Sequence, residues 1–449
     1  MQAVMLQYIN RHRLLNHDSK ILAAVSGGID SMVMLKLLHD AGFNIAVAHC
    51  NFGLRGEESY SDEAFVKTET EKLGIKCHTK CFDTAGYAVQ NGISIQMAAR
   101  ELRYEWFHEL ASSEGYGAIA IAHNADDSIE TLFINLARGT GIHGLTGIKP
   151  QNGKIVRPLL FASRREIEAY AKSNIVRFRE DSSNNSDKYA RNFIRNNVIP
   201  GMEHFFPEMR QSIVRSLEQF SAAELFYNEA IERYKNQIVT TVDNLIYIDL
   251  QGLAKSPSPP TLLYEILKPF GFSSSTAARI LDKKKYPSGR QFFSEKYRIV
   301  QDRKTLIIQE SCQSSVVSRQ LSVVRKIEKH TSSIDVPIRL KIDKFDKSPE
   351  FKPETDPNIA CLDGDKLQFP LLLRNWKKGD KFHPLGMRYN KKLSDFFSDA
   401  KLSLIEKEKT MILESNGKIA WIVGYRIDDR FKITDKTKKV VMFQVNVNI

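Results

Sequence analysis

The sequence predicts an α/β fold: a doubly wound parallel sheet in an N-terminal domain, followed by a mainly helical domain and a small α+β C-terminal domain. Three observations predict it. From residue 1 to about 150, short unbroken apolar runs alternate with stretches of helical periodicity. A Ser-Gly-Gly turn directly follows the first apolar run. Beyond about residue 215 this alternation gives way to helices and then to strands.

Taken in order, the N-terminal "MQAVMLQYINRHRLLNHDSK" has helical rather than signal-peptide character. The strands expected next are "ILAAVS", "NIAVAHC", "KCHTKCF" and "AIAIAH", continuous in the way of strands buried on both faces. Between them "DSMVMLKLLHDAG", "SDEAFVKTETEKLG" and "ISIQMAARELRYEWFHELASSEG" carry helical periodicity, the first two ending in glycine. Strand, helix, strand repeated means a parallel sheet, whose ligands sit at the carboxyl ends of its strands. The domains expected are 1–215; 216–312, mainly helical with a β-hairpin at "GRQFFSEKYRIVQDRKTLIIQE"; a linker at 313–359, rich in Lys, Asp, Pro and Glu; and 360–449, strands around one helical segment.

Composition bounds the function. At 449 residues two or three domains are expected, and 65 Lys+Arg against 53 Asp+Glu, a net charge of +12, favour a polyanionic partner. The five cysteines (Cys50, Cys77, Cys81, Cys312, Cys361) are dispersed, which argues for reduced thiols rather than a disulfide framework, and no second pair completes a metal site around Cys77 and Cys81. No run approaches 18 apolar residues, so a soluble, cytoplasmic protein is expected.

The chemistry begins at "VSGGIDS". Gly27 and Gly28 let the backbone turn onto an anion, the following helix offers its unpaired N–H groups, and Ser26 and Ser31 add hydroxyl donors. Asp30 is placed to hold Mg²⁺ between phosphate oxygens. The loop has neither the spacing nor the lysine of a γ-phosphate-gripping loop, and so suits a pyrophosphate that will leave. Its simpler reading is a strand-to-helix turn capped by Asp and Ser.

"SGGIDS" resembles the signature of the PP-loop ATP pyrophosphatase superfamily, which implies a sheet of the adenine nucleotide α-hydrolase type, cleavage of ATP between the α and β phosphates, and adenylation of a substrate. Further segments narrow it: "HCNFGLRGEESYSDEAFV", "AARELRYEWF", "AHNADDSIETLFINLARGTGIHGLTGI", "RPLL", "EDSSNNSDKYARNFIRNNVIP", "LLLRNWKKGDKFHPLGMRYNKKLSDFF" and "IAWIVGYRIDDRFKIT" resemble, in this order, the tRNA(Ile)-lysidine synthetase family. The match is weakest from about 225 to 350. The resemblance implies ATP and Mg²⁺ as cofactors, and ligation of L-lysine to C2 of the wobble cytidine in the CAU anticodon of tRNA(Ile). The cytidine is first adenylated, AMP and pyrophosphate are released, and the codon read changes from AUG to AUA. A homodimer is a candidate assembly; no membrane is involved.

Lysine's ε-amine has a reference pKa of about 10.4, so roughly one molecule in a few thousand is neutral at pH 7. Carboxylates are needed to bind the ammonium and then help remove its proton. On a helix opening near Ala125, Ile129, Leu132, Phe133 and Leu136 form an apolar face, with Asp127, Glu130, Thr131 and Arg138 opposite. Asp126 and Asp127 alone would read equally well as acids complementing a helix dipole. The resemblance gives Asp127 and Glu130 to lysine, and makes Asp30, Asp127, Glu130, Arg100 and Arg103 the catalytic set. ATP falls to Ser26, Gly27, Gly28, Ile29, Asp30, Ser31, His49 and His123. His49, Asn51 and Arg55 follow a strand end; where the family pattern has a second histidine this chain has Phe52, so no role is carried over there. Arg191 and Arg195, at i, i+4, face RNA or flank the active site. In the last domain Arg374, Lys377, Lys378, Lys381, Arg388, Lys391 and Lys392 interleave with Trp376, Phe382 and His383, a mixture suited to RNA. With Arg138, Arg191 and Arg195 they are the expected tRNA contacts. The alternatives are another PP-loop tRNA-modifying enzyme such as a thiolase, or an inactive tRNA-binding homologue.

Overall fold

The structure, a computed structural model, describes residues 1–179, 190–282, 289–311, 324–387 and 389–445. Arg388, Cys312 and the first ten residues of "EDSSNNSDKYARNFIRNNVIP" lie outside the described residues. Two units divide the chain, Met1–Asn228 and Glu229–Ile449.

In the first unit the alternation becomes α1 (Gln2–His12), β1 (Ile21–Ala24), α2 (Ile29–Asp40), β2 (Ile45–Asn51), α3 (Glu57–Lys72), β3 (Cys77–Cys81), α4 (Thr84–Asn91), α5 (Ile95–Ser113), β4 (Ala118–Ile121) and α6 (Ala125–Arg138). A short α7 (Ile142–Leu145), β5 (Gln151–Asn152), β6 (Ile155–Val156) and α8 (Arg164–Ser173) follow. The six-stranded sheet has the order β3-β2-β1-β4-β6-β5, with β1 parallel to both β2 and β4. The chain runs outward from β1 to β3 and returns to the other side of β1 at β4. The strand order therefore reverses between β1 and β4, which places a crevice at their carboxyl ends.

Alternation along each strand sends side chains to two cores. Ile21, Ala23, Val47 and Ala120 meet α1, α2 and α8 through residues such as Met5, Leu35 and Ile167. Leu22, Ala48 and Ile119 meet Trp106 and Phe107 of α5. One expectation fails in detail: β3 is not buried on both faces, and Cys81 at its end is exposed. As the edge strand it pairs with β2 alone.

After α8 the helices Ala190–Phe193 and Ile199–Phe205 are joined by a π-helical turn, Ile194–Val198. Pro200 supplies no N–H to the carbonyl of Asn196, its i−4 partner in an α-helix, and the wider turn sits just before it. Ile194, Ile199 and Met209 pack on Ile129 of α6.

In the second unit, helices Pro259–Leu267 and Ser274–Leu281 pack on a five-stranded antiparallel sheet. That sheet is larger than the hairpin read from sequence, because Val239–Val242 and Leu245–Asp249 add two strands beside Thr305–Glu310. The expected linker at 313–359 is corrected over its described part: Val324–Ile327, Ser333–Ile334 and Leu340–Asp346 are strands. The first joins a five-stranded sheet through Leu371–Asn375. The other two join a four-stranded sheet in which Lys439–Val445 lies between Leu340–Asp346 and Ile359–Asp363. The two sheets share one core, with Leu340, Ile342, Leu362 and Phe443 from one meeting Leu371, Leu413 and Trp421 from the other. No helix among the described residues is long and apolar enough to cross a membrane.

Candidate active site

The turn after β1 is built as a cradle. Gly27 has φ +93°, a conformation L side chains rarely adopt. Ser31 Oγ donates to the Gly28 carbonyl (2.8 Å) and accepts from the Ser26 N–H (3.2 Å), and the Gly28 N–H donates to Ser26 Oγ (3.3 Å). These bonds hold the loop open at the start of α2. A cavity of about 230 Å³ opens there, lined by Ser26, Gly28, Asp30 and Ser31 on the polar side and by Phe52, Phe107 and Ile121 on the apolar side.

Asp30 takes three influences. Asn124 Nδ2 donates to its Oδ1 (3.2 Å) and Arg164 Nη1 to its Oδ2 (2.5 Å). Burial nevertheless prevails and pushes its carboxyl above the usual range, against the pull of Arg164. Asn124 also caps α6: its Oδ1 accepts from the Asp127 N–H (3.1 Å), and Asp127 Oδ2 accepts from the Asn124 N–H (3.0 Å), a capping box. One asparagine thus ties the phosphate loop to the acidic helix.

His123, two residues beyond the end of β4, lines the same cavity. Arg157 Nε lies 3.0 Å from its Nδ1. A guanidinium can only donate, so Nδ1 accepts and the neutral ring carries its proton on Nε2. Burial, with the Arg157, Arg191 and Arg100 charges, holds the imidazole pKa down at about 4. Arg157 itself is buried and donates to the Lys149 carbonyl (2.6 Å).

Glu130, only 1% exposed, is held by arginines: Arg195 Nε and Nη2 donate to its two oxygens at 2.6 and 3.2 Å, and Arg191 Nε lies 3.1 Å from Oε2. Burial raises its carboxyl pKa despite these cations. Arg191 also donates to Thr131 Oγ1 (3.0 Å). Asp127 Oδ1 stands 3.6 Å from Arg195, beyond hydrogen-bond reach.

The structure thus brings together Ser26, Gly28, Asp30, Ser31, Arg103 and His123 around one cavity, with Asp127 and Glu130 on the adjoining helix. Arg103 lies over the Phe52 ring, 5.1 Å from its centroid, and Arg100 over Tyr104 at 4.9 Å. Four expected placements change. The Ile29 side chain belongs to the core. His49 is buried beneath the loop with Nδ1 2.9 Å from the Val25 carbonyl, where it braces the turn rather than lining the cavity. Arg191 and Arg195 face the acidic helix and so take the flanking position, not an RNA-facing one. Arg374 is corrected outright: only 9% exposed, it donates to Asp380 at 2.9 and 3.0 Å and to Glu414 at 2.8 Å, on the face of its strand opposite Leu371 and Leu373.

Of the remaining basic residues, Arg138, Lys377, Lys378, Lys381 and Lys392 are exposed, and Lys391 pairs with Asp399. Asn51 donates to Glu63 (3.0 Å) and Arg55 pairs with Asp62 (3.0 Å), so both serve α3. Sequence reasoning missed Asn124, Arg157 and Arg164. "RPLL" was a signal for Arg157; nothing local marked Arg164.

Comparison with known proteins places this geometry. Residues 2–202 match the model of a PP-loop domain, 241–311 that of a TilS substrate binding domain, and 371–444 that of a TilS substrate C-terminal domain. The tRNA(Ile)-lysidine synthase of Parabacteroides distasonis is 43% identical over 97% of this chain and 97% of its own length. The synthase of Bacteroides thetaiotaomicron is 39% identical over 99% and 100%, and that of Porphyromonas gingivalis 35% over 95% and 94%.

Proposed function

The chain belongs to the tRNA(Ile)-lysidine synthase family, and from that premise we propose that it uses ATP to join L-lysine to C2 of the wobble cytidine in the CAU anticodon of tRNA(Ile), releasing AMP and pyrophosphate. The observation that carries this reading is Asn124, whose one side chain binds both Asp30 of the phosphate loop and the cap of the helix bearing Asp127 and Glu130. A nucleotide on the loop and a cationic nucleophile on the helix would thereby meet at a single place.

The cytosine carbon bearing O2 is a poor electrophile until that oxygen becomes a leaving group. Attack of O2 on the α-phosphorus forms the O–P bond and expels pyrophosphate. The loop N–H groups, the Ser26 and Ser31 hydroxyls and the His123 Nε2–H are placed to receive phosphate oxygens. Lysine's ε-amine then attacks C2, forms the C–N bond and expels AMP. Asp127 is the better ammonium partner, since Glu130 already holds two guanidinium groups. Arg103 and Arg100 lie on the face of α5 suited to the nucleotide or adenylate.

Asp30, whose carboxylate lines the cavity at the phosphate loop, would hold a Mg²⁺ shared with ATP phosphates. Such an ion, when bound, neutralises phosphate charge. Exposed Lys377, Lys378, Lys381 and Lys392, with Arg138, are proposed to contact the RNA backbone. The thiolase alternative is not favoured, since the relatives matched along nearly the whole chain are tRNA(Ile)-lysidine synthases.

The test combines protein, ATP, Mg²⁺, labelled lysine and the CAU isoleucine tRNA. Label should enter RNA with AMP as the nucleotide product. Production of ADP, or labelling unchanged by Asp30→Ala, would sink the mechanism.

A further inference from the structure

The phosphate loop lacks a lysine, yet a departing pyrophosphate carries several negative charges into a site that already holds the Asp30 carboxylate. Beyond the Mg²⁺ proposed at Asp30, any cationic side chain for it must come from outside the loop. Arg164, 134 residues further along the chain, has its Nη1 2.5 Å from Asp30 Oδ2. It also lines a second, larger cavity of about 940 Å³, together with Asp126, Glu203 and Arg210.

Its backbone and its head group differ in freedom. Arg164 opens α8 behind the Ser163 cap, where Ser163 and Glu166 form a capping box, and its backbone N–H donates to Asp126 Oδ2 (2.7 Å) on α6. The Cα is therefore fixed against the acidic helix. The side chain is 44% exposed, and its other partner, Glu168 at 2.8 Å, is 54% exposed. Such surface pairing restrains an arginine weakly. The guanidinium can turn from Asp30 to a phosphate without moving the backbone.

We propose that Arg164 is a further binding residue for the reaction. It neutralises Asp30 while the site is free of nucleotide and transfers its guanidinium to the β- and γ-phosphates of ATP, doing from α8 what a loop lysine does elsewhere. Planar, bidentate recognition of phosphate is what arginine is suited to. The proposal rests on the reading of the loop as an ATP site.

The test measures binding of ATP, inorganic pyrophosphate and AMP to the full-length protein by calorimetry, for wild type, Arg164→Ala, Arg164→Gln and Arg164→Lys. Loss of a charge-assisted phosphate contact should weaken ATP and pyrophosphate about 10- to 100-fold in the Ala and Gln variants and AMP less than about threefold, with partial recovery in Arg164→Lys. Parallel loss of ATP and AMP would reduce Arg164 to a structural residue, and tighter ATP binding would make it a competitor of the nucleotide at Asp30. Either result overturns the proposal, while failure of the wild type to bind ATP would overturn the ATP reading itself. Arg164→Gln keeps the backbone bond to Asp126 and the side-chain stem, and should retain the wild-type melting temperature.

Discussion

Arg374 was expected to meet RNA and instead is buried against Asp380 and Glu414, and replacing it with alanine separates the two roles. Its side chain is 10% exposed, that of Asp380 8% and that of Glu414 13%. Four hydrogen bonds leave it: two to Asp380, one to Glu414 and one to the Asn375 carbonyl at 3.0 Å. Arg374→Ala strips the cation from two nearly buried carboxylates. Breaking a buried ion pair from one side costs about 3–5 kcal/mol, chiefly because the partner charge stays behind uncompensated. For a unit of this length, about 2–4 °C per kcal/mol gives a fall in melting temperature of about 6–20 °C. The assay is a thermal melt followed by near-ultraviolet circular dichroism, with tRNA binding measured below the transition at several salt concentrations. Loss of a phosphate contact would flatten the log–log salt dependence by about 0.7–0.9. A melting temperature within 2 °C or so of wild type, together with that flattening, would refute the structural role and restore the RNA contact.

The exposed lysines should behave oppositely: Lys377→Ala with Lys378→Ala should leave the melt unchanged and flatten the salt dependence by up to about 1.4–1.8, as read by filter binding. Asp127→Asn keeps a side-chain oxygen for the α6 cap but removes the charge, so the KM for lysine should rise about tenfold or more with little loss of stability, whereas Asp127→Ala should also cost about 1 kcal/mol of cap energy; an unchanged KM in both would remove Asp127 from lysine binding. His123 has a folded pKa of about 4, below the unfolded value of about 6.5. The unfolded chain therefore binds the proton first, and this residue's share of stability is intact above about pH 6.5 and lost as pH falls towards 4. Arg157→Met removes a cation and a donor from that ring, so the His123 titration followed by NMR should move upward and the destabilising window should narrow; an unmoved titration would show that Arg157 does not set the ring's state.

What could be read from sequence was what is local. Ser26 to Ser31 sit within one turn, and periodicity alone put Asp127 and Glu130 on one face of α6. Arg164 and Asp30 are far apart in sequence, and only the packing of α8 against α2 brings them together, so no window of sequence contains the pair. Arg374 misled because a charge run does not reveal which member is covered: it lies on the strand face opposite Leu371 and Leu373, and its partners Asp380 and Glu414 lie 6 and 40 residues away. The missed strand Leu340–Asp346 buries Leu340 and Ile342 and exposes charged residues between and beyond them, a period-2 signal masked by its lysines and aspartates. Leu136, placed on the apolar face of α6, is exposed because the core from Ile194 to Met209 covers only the earlier turns.

The strand Lys439–Val445 occupies an interior position of its sheet, bonded on one side to Leu340–Asp346 and on the other to Ile359–Asp363. Both neighbours leave the ribosome well before it does. Until it arrives, each exposes an unpaired edge and the apolar residues that Val441 and Phe443 later cover. Closure of this lobe is therefore a late event in synthesis, dominated by long-range pairing and correspondingly slow. A messenger truncated just before codon 439 would yield a chain with its nucleotide site encoded in full and a sticky, half-built sheet, a candidate for aggregation rather than partial function.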